Sequence, residues 1–595
     1  MGKQPHRLSR RQFLQACAAT AGTALLSTCG SPPTATRTEP AGVTPTPLTT
    51  PAGTEISTAV ATAEAAPSST AVQGTRPFAA QIDTAGIKPG GTIVEGSVAD
   101  VSTLNPVLVT DLPTFRLTSL VFDGLATLDP DTLQPVPNLA TTWQVSPDHK
   151  AYTFTLKRGV TWHDGHPFSA DDVKFSYDLY MNPKSGTPRA GALNQHIAAV
   201  TVKDPTTVVF TLKEVFAPFL VRDVLYGIVP HHLLGTVKPE EIPTHEFSRA
   251  KPVGTGPFRF QEFKSGDHVT LVANPHYHRG APALATYLRK VVKDTTNLYQ
   301  QLKTGEVDFA ELLTPDVYAD AQRQATFTTY TYDTFNFDFF GYNLDPKKGS
   351  PIFQDRTVRQ ALFYAVDRQT MVEKIFNGLS TVAQGTMPVL SWAYQPEKIR
   401  VRYDFDPAKA NQLLDAAGWK RGPDGLRSKN GQKLSFTMHA ASGWKSVEGY
   451  MAVLQQAWKD IGVEMVPQFE ELSALVTRFT KTFDFQAFFT AFAWDVDPDQ
   501  TAMWDSKQHG AGFNLYSYRN PNVDALLAQG VHTLDRQQRQ QIYVEMQNLV
   551  LADAPALITD FPKGISGVNK RVKNLIPNGV TITANAYQWY VTDGK

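Results

Sequence analysis

One stretch of sequence decides how the fold is predicted: Gly159-Val160-Thr161-Trp162-His163-Asp164-Gly165-His166-Pro167-Phe168-Ser169-Ala170-Asp171-Asp172-Val173. Ser169 and Asp172 are three residues apart and form a variant of the capping box that begins a helix. Val173 and Tyr177 then lie one turn apart on one face of that helix. The stretch therefore predicts a helix that begins after Ser169 and packs an apolar face against a core.

The same kinds of signal recur on both sides of this stretch. Short strand patterns such as Thr92–Gly96 alternate with helices, which predicts an α/β fold of mixed α+β layers. Asp406 and Asn520 are each followed by proline and are candidate N-caps of helices. Gly418 and Gly530 are the expected ends of those two helices. The apolar stripes between these caps and ends indicate core packing.

The composition is that of a globular protein with a balanced charge. The chain has 595 residues, of which 42% are hydrophobic and 11% aromatic, which is enough for two or three domains with large cores. Lys plus Arg and Asp plus Glu each number 56, so the chain has no net charge that would attract nucleic acid. We therefore expect no nucleic-acid partner.

The N-terminus has the pattern of an export signal. A basic segment is followed by a short apolar run and then by small residues. The paired Arg10 and Arg11 resemble a twin-arginine signal. Leu26-Ser27-Thr28-Cys29 resembles a lipoprotein box, in which Cys29 would be acylated after cleavage. Residues 1–29 therefore predict a protein that works outside the cytoplasm, lipid-anchored in the periplasmic space or on the outer face of the cytoplasmic membrane.

Residues 30–88 form a low-complexity segment rich in proline, threonine and alanine. From Gly30 to Arg76 the segment holds no aromatic residue and few charges. It cannot bury enough apolar area to offset the entropy lost on ordering. We expect a disordered tether that keeps the folded body close to the membrane. A glycosylated stalk is the alternative that the sequence leaves open.

A series of short motifs runs in order from Gly90 to about Asn578. They include Leu139-Ala140, Trp143, Ser146-Pro147-Asp148, Gly254-Thr255-Gly256-Pro257-Phe258, Asn274-Pro275, Gly305-Glu306-Val307-Asp308, Val358-Arg359-Gln360-Ala361-Leu362, Ala416-Ala417-Gly418-Trp419, Asp497-Pro498-Asp499 and Asn520-Pro521-Asn522-Val523-Asp524. Each motif alone is weak, but the ordered series is specific. The chain thereby resembles the extracytoplasmic solute-binding proteins of ABC importers in family 5, the oligopeptide-, dipeptide- and nickel-binding type.

The resemblance implies a periplasmic-binding-protein-like fold of type II, with two main lobes, a hinge and an extra third lobe. Lobe I would comprise residues 90–135, 252–343 and 562–595, lobe II residues 136–251, and lobe III residues 344–561. Hinges near Tyr342-Asn343-Leu344 and Asp560-Phe561 would close two lobes around a small solute. A membrane permease would recognise the closed form, so we expect a monomer whose protein partners are ABC permease subunits.

The resemblance also implies that the solute is a peptide. A peptide ammonium taken out of water needs a carboxylate partner. In the resembling proteins an aspartate serves this role, usually three residues before the Asp-Pro-Asp stretch. Here Asp495 lies two residues before Asp497, and Trp494 occupies the expected place. Further candidate ligand contacts are aromatic or amide side chains: Trp392, Trp444, Tyr342, Asn343 and Asn514.

Other functions stay open at this point. Relatives of similar sequence bind oligosaccharides or a chelated metal such as nickel, and the same cleft could serve a sensory module that reports a ligand to a membrane receptor. We expect no enzyme, because the sequence has neither a GxSxG motif nor a reactive cysteine. The pairs His163/His166 and His276/His278 lack further ligands at useful spacing, so no metal site and no cofactor are expected.

Overall fold

The computed structural model describes residues 87–580 and 582–592. The predicted export signal, Cys29 and the tether up to residue 86 lie outside the described residues. Within the described part, no helix combines the length and the apolar character needed to cross a membrane. Three β-sheets are large, with seven, six and four strands, and they organise the rest of the fold.

The seven-stranded sheet combines separate parts of the chain. Its strands lie in the order Phe327–Tyr332, Gly564–Asn569, Phe309–Ala310, Gly90–Ser97, Leu284–Val291, His268–Ala273 and Phe258–Lys264. Gly90–Ser97 runs parallel to both of its neighbours, and the other pairs are antiparallel. This central strand contains the segment Thr92–Gly96, whose prediction is confirmed. The α-helices in this part of the chain are Leu112–Val121, Thr295–Thr304 and Tyr318–Ala321.

The four-stranded sheet is antiparallel, with the strand order Ala140–Val145, Ala151–Leu156, Thr207–Leu212 and Ile197–Asp204. Its main helix, Ala170–Met181, begins at the predicted capping box. Ser169 Oγ accepts a hydrogen bond from the backbone N–H of Asp171, and Asp172 Oδ2 accepts one from that of Ser169. The buried faces of this sheet and of the seven-stranded sheet share one apolar core. The other α-helices are Ala190–His196, Phe219–Arg222, His231–Leu234 and Glu246–Arg249.

The six-stranded sheet has the order Ser380–Val382, Ala556–Pro562, Asn336–Tyr342, Ala487–Ala493, Ser435–Ala441 and Glu464–Glu470. Each face has its own apolar core, with Tyr342 in one and Phe337 in the other. The surrounding α-helices are Arg356–Tyr364, Arg368–Phe376, Pro407–Ala416, Lys445–Asp460, Leu472–Thr477, Thr501–Trp504, Pro521–His532 and Arg536–Asp553.

The predicted caps are correct in this part, but one predicted helix end is wrong. Asp406 and Asn520 cap their helices through side-chain oxygens. Gly418, with a φ of 84°, follows the end of the first helix. Gly530 lies inside the second helix, which continues to His532. Glycine is required there because a Cβ would lie 2.7 Å from the Tyr543 ring.

The remaining elements are small. Three short sheets pair Ala126–Leu128 with Pro135–Pro137, Val572–Lys573 with Tyr590–Val591, and Arg427–Lys429 with both Lys420–Arg421 and Gln432–Lys433. The 3₁₀ turns are Pro106–Leu108, Pro183–Ser185, Asp223–Leu225, Pro239–Thr244, Pro315–Val317, Pro351–Gln354, Pro396–Lys398, Ser506–Gln508 and Ala586–Gln588, and Arg478–Thr482 is a π-helical turn.

Two short connections carry the chain between the seven- and six-stranded sheets. One is 333–335, between strands Phe327–Tyr332 and Asn336–Tyr342, and the other is the single residue Lys563. Thr334 Oγ1 donates a 2.8 Å hydrogen bond to the Pro562 carbonyl and ties the connections together. Strand Asn336–Tyr342 already belongs to the six-stranded sheet, so the chain changes sheet before the predicted hinge at Tyr342–Leu344, and that hinge stays a prediction. The division into three lobes itself stays a prediction.

Two buried carboxyl groups face each other across the strands that lead into these connections. The Tyr450 hydroxyl lies 3.0 Å from Asp338 Oδ2 and 2.5 Å from Asp560 Oδ1. One hydroxyl has one hydrogen, so a protonated carboxyl group must supply the other hydrogen bond. Burial raises the pKa of Asp338 well above its ordinary value, and the nearby charge of Asp560 raises it further. The pair therefore holds a proton within the six-stranded sheet.

Candidate functional site

Loops and turns from the parts of the chain around all three large sheets meet at one apolar cluster. Its buried members are Leu128, Leu133, Phe335 and Val496, and the half-buried side chains packed on them are Val221, Leu225, Leu390, Trp494 and Val580. We call these nine residues the junction cluster. Its members come from the surroundings of all three large sheets and from the connection 333–335, so the cluster joins these parts of the fold.

Asp495 lies beside the junction cluster, just after strand Ala487–Ala493. Its Oδ1 accepts a 2.6 Å hydrogen bond from the backbone N–H of Val496. Burial raises the pKa of Asp495 to about 6, while the positive charge of Arg222 opposes that increase. Among the described residues, no basic side chain forms an ion pair with Asp495. The carboxylate is thus half-buried, mostly ionised at neutral pH, and without a bonded cation among the described residues.

Arg222 reaches this place from the part of the chain that holds the four-stranded sheet. Its Nε lies 3.3 Å from Asp223 Oδ1, and its Nη1 lies 3.7 Å from Asp499 Oδ2. The guanidinium also lies 4.7 Å from the centroid of the Phe216 ring. Arg222 therefore bridges two parts of the fold and places positive charge near Asp495 without being bonded to it.

The Asp497-Pro498-Asp499 motif has a structural role. Both oxygens of Asp497 accept hydrogen bonds from the Arg539 guanidinium, at 2.7 and 2.9 Å, and both side chains are buried. Arg539 Nε donates to the Gly530 carbonyl at 2.8 Å. Asp499 Oδ1 accepts from the backbone N–H of Thr501 at the start of a short helix. Sequence reasoning missed Arg539, whose place in the sequence gives no sign of this partner.

The predicted tryptophans are half-buried, and all three pack on the same apolar core of the six-stranded sheet. Trp494 Nε1 donates to the Thr386 carbonyl at 2.9 Å, and its ring stacks on Phe337 with centroids 4.8 Å apart. The ring of Trp392 lies 4.7 Å from the Arg536 guanidinium. Trp444 occupies the N-cap position of helix Lys445–Asp460. Of the three, only Trp494 belongs to the junction cluster, next to Asp495.

Three predicted ligand contacts are instead parts of the core. Tyr342 is fully buried, and its ring stacks on Phe353 with centroids 4.3 Å apart. Asn343 is also fully buried, and its Nδ2 donates to two backbone carbonyls at 2.9 and 3.0 Å. Asn514 makes a closed set of hydrogen bonds with the backbone of its own loop. These side chains stabilise turns or fill the core, the buried Tyr342 hydroxyl has no hydrogen-bond partner among the described residues, and a ligand role for the three stays a prediction.

The histidine pairs also serve the fold. His163 Nδ1 accepts from the backbone N–H of Gly254 at 3.1 Å, so Nε2 carries the hydrogen that donates to the Gly256 carbonyl at 3.0 Å. Burial lowers the pKa of His163 to about 4, which keeps it neutral. His166 stacks on His232, with ring centroids 4.0 Å apart. Across the described ranges, no three His, Cys, Asp or Glu side chains are grouped as metal ligands.

A cavity of about 90 Å³ adjoins the junction cluster, and Leu128, Leu225 and Val580 line both. Three arginine side chains from distant parts of the chain also line this cavity: Arg116, Arg189 and Arg279. Sequence reasoning missed all three, because each is an isolated basic residue without a motif or a charge run. Only the fold brings them together.

Comparison with known proteins agrees with this architecture. The family model of the bacterial extracellular solute-binding proteins, family 5 (middle region), matches residues 134–514. The chain belongs to this family. The resemblance inferred from the ordered motifs and the predicted fold class are thereby confirmed.

Two proteins with solved structures are similar to this family-5 protein over most of its length. The oligopeptide-binding protein AppA of Bacillus subtilis is 31% identical over 477 residues, which is 80% of this chain and 86% of AppA. The structure of AppA in complex with a nonapeptide has a TM-score of 0.73 and 29% identity, covering 85% of this chain and all of that one. NikZ from Campylobacter jejuni, in complex with Ni(L-His), has a TM-score of 0.73 and 27% identity, covering 84% and 99%.

Proposed function

We propose that this protein is the substrate-binding component of an ABC importer and that its solute is a peptide. The observation that carries the proposal is the half-buried carboxylate of Asp495, which has no ion-pair partner among the described residues, in a fold similar to that of AppA bound to a nonapeptide. The protein acts by binding and release rather than by catalysis. Membrane permease subunits would be its partners in transport.

The chemistry of a peptide fits the surroundings of Asp495. Peptides share an ammonium and a ladder of amides, while their side chains vary, so a general peptide receptor must bind the shared groups. An ammonium that enters the junction loses water and requires a carboxylate partner. Asp495 offers this partner, and the aromatic and aliphatic junction cluster beside it offers apolar contact for a side chain.

Closure would take place about the connections 333–335 and Lys563. These two segments lie side by side, tied by the hydrogen bond from Thr334 to Pro562. Arg222 and Asp499 belong to different parts of the fold, and the junction cluster has members in both, so these contacts would rearrange when a peptide enters between those parts. The peptide's contacts with both sides would then favour the closed form, as in other hinge-closing proteins.

Replacing Asp495 by asparagine should weaken peptide binding by about tenfold to one hundredfold, because a charge-assisted hydrogen bond to the ammonium is lost. Binding by the parent protein should weaken about tenfold per pH unit below pH 6, where Asp495 takes up a proton, since a bound ammonium favours the ionised form. Calorimetric titration with a pool of random tetrapeptides between pH 5 and pH 8 would measure both effects.

The matched control for this experiment is Asp484→Asn, which changes a carboxylate that is 84% exposed. It should bind peptides as the parent does. N-acetylated peptides should bind the parent and Asp495→Asn equally weakly. Equal affinity of both proteins for unmodified peptides would overturn the role of Asp495. Binding of Ni(L-His) in place of every peptide would overturn the peptide proposal and favour a chelated metal, the ligand held by NikZ.

We further propose that Cys29 carries a lipid anchor and that Arg10 and Arg11 direct export, as the N-terminal sequence indicates. Changing Cys29 to serine removes the thiol that would be acylated, and we expect most of the protein to move from the membrane fraction to the soluble fraction. Fractionation and intact-mass measurement of the mature protein would report the change. An unaltered mass and unaltered membrane association would contradict the lipid anchor.

A further inference from the structure

The arginines that line the cavity beside the junction cluster differ in how they are neutralised. Arg116 forms an ion pair with Glu311. Arg189 Nη1 donates only long hydrogen bonds, of 3.4 and 3.5 Å, to two backbone carbonyls. Arg279 Nη2 donates to the Tyr587 hydroxyl at 3.3 Å. Within the described ranges, Arg189 and Arg279 have no carboxylate partner, and each packs against a tyrosine ring instead.

The acidic side chain in the lining does not balance these two positive charges. Asp123 Oδ1 accepts hydrogen bonds from Asn138 Nδ2 at 3.0 Å and from the Tyr277 hydroxyl at 3.3 Å. Asp123 Oδ2 accepts from Thr255 Oγ1 at 3.2 Å and from His278 Nε2 at 3.0 Å. Both oxygens are therefore occupied by neighbours other than the arginines. The cavity keeps an excess of positive charge.

Two buried polar atoms of the lining residues have no hydrogen-bond partner in the described part of the chain. One is Asn138 Oδ1, on a side chain only 8% exposed. The bond from Asn138 Nδ2 to Asp123 fixes the orientation of the amide, so Oδ1 is left as an acceptor. The other is Arg116 Nε, a donor. Buried groups of this kind are costly to leave unpaired, and the free acceptor at Asn138 Oδ1 points to a ligand with an N–H, while the two arginines without a carboxylate partner point to an anionic oxygen.

We propose that the cavity binds the C-terminal residue of the peptide, with its carboxylate between Arg189 and Arg279 and its amide N–H donating to Asn138 Oδ1. This inference rests on the proposed function and adds which end of the peptide enters the cavity. A volume of about 90 Å³ has room for several water molecules, and so for one end of a peptide rather than its whole length. Arginine is suited to this role because its planar fork matches a carboxylate.

The test is a competition between free and blocked C-termini. The full chain in detergent is mixed with equal amounts of two random pools of tetra- to nonapeptides, one with free carboxylates and one with C-terminal amides. Native mass spectrometry then gives the ratio of bound acid to bound amide. We expect the parent protein to favour the acids by about tenfold or more, because the carboxylate replaces neutral contacts of two arginines.

Arg279→Gln is the decisive variant, because its side chain is half-buried and its polar contact is a single hydroxyl. It should bring the ratio close to one while amidated peptides bind as before. Arg189→Gln should have the same effect, and Arg323→Gln, at a site 72% exposed, should leave the ratio unchanged. Thermal unfolding without ligand shows whether each variant is folded. If Arg189→Gln does not fold, Arg279→Gln alone tests the proposal.

The other outcomes separate this inference from the proposed function. Equal binding of acids and amides by the parent would overturn the cavity assignment and leave peptide binding intact. A ratio of bound acid to bound amide that neither arginine variant changes would also overturn the cavity assignment. Selective retention of amidated peptides that carry aspartate or glutamate would place a side-chain carboxylate in the cavity and overturn the terminal assignment. If neither pool bound, the proposed peptide function would fail, and the inference with it.

Discussion

Changing Asp497 to alanine is expected to lower the free energy of unfolding of the domain around the six-stranded sheet by about 3–5 kcal/mol. Asp497 receives two hydrogen bonds from Arg539, and both side chains are buried. Removing the carboxylate leaves a buried guanidinium without its counter-charge. Denaturation followed by tryptophan fluorescence would measure the loss, since Trp504 lies in the same core.

A double variant tests whether the loss comes from the unpaired charge. Combining Asp497→Leu with Arg539→Met removes both charges and should recover much of the stability that the single change loses, because the expensive state is one buried charge alone. Asp484→Ala, which removes an exposed carboxylate of the same domain, should change stability by less than about 1 kcal/mol. A single variant as stable as the parent would mean that water reaches Arg539.

The second large effect is expected at Gly254, in the Gly254-Thr255-Gly256 motif. A Cβ at Gly254 would lie 1.8 Å from the carbonyl oxygen of Val121, the last residue of helix Leu112–Val121. Gly256 is equally close-packed, because its N–H donates to the same carbonyl at 2.9 Å. Gly254→Ala must therefore displace backbone rather than a flexible side chain. We expect a loss of about 3 kcal/mol or more, measured as a shift of the unfolding midpoint.

Gly191→Ala is the matched control for this prediction. Gly191 lies in helix Ala190–His196, and an added Cβ there would meet no atom within 4 Å. Alanine is also the better helix former, so this variant should be neutral or slightly more stable, by up to about 1 kcal/mol. A Gly254→Ala protein that unfolds at the same midpoint as the Gly191→Ala protein would show that the helix end yields easily.

Local signals were sufficient to predict the helix starts. Ser169, Asp406 and Asn520 cap their helices as expected, because a cap depends on one side chain and the backbone of the next turn. The helix end predicted at Gly530 was wrong because this glycine is required by a contact with another helix. Its requirement for glycine comes from Tyr543, on the following helix, and no local pattern reports a contact of that kind.

The point at which the chain passes from one sheet to the next was not predicted from the sequence, because strand Asn336–Tyr342 lacks the alternation of polar and apolar residues that would identify its sheet. Asn336–Tyr342 is buried along nearly its whole length and packs against a core on each face, so its sequence is apolar at nearly every position after Asn336 except Asp338. Such a sequence fits the centre of either sheet equally well. The predicted hinge came from the family resemblance, and no local pattern at 333–335 marked the change of sheet.

The ligand contacts named from the sequence stay predictions, but the structure shows where they lie. Trp494 and Val496, on either side of Asp495 in the chain, belong to the junction cluster. Tyr342, Asn343 and Asn514 fill the core, because aromatic and amide residues serve folded interiors as readily as ligands. Arg116, Arg189 and Arg279 come from segments far apart in the chain, and their proximity depends on how the sheets are placed. No pattern in one sequence contains that information.

The connection at Lys563 has a consequence for how this chain can change during evolution. Strands Ala556–Pro562 and Gly564–Asn569 are separated by that single residue, yet they belong to different sheets. One continuous stretch of chain thus fixes the alternation of side-chain directions in both sheets at once. A one-residue insertion or deletion there would turn every side chain of one strand to the wrong face. Residues on either side of Lys563 can be substituted separately. A change in chain length at Lys563, by contrast, alters which side chains of one strand face inward.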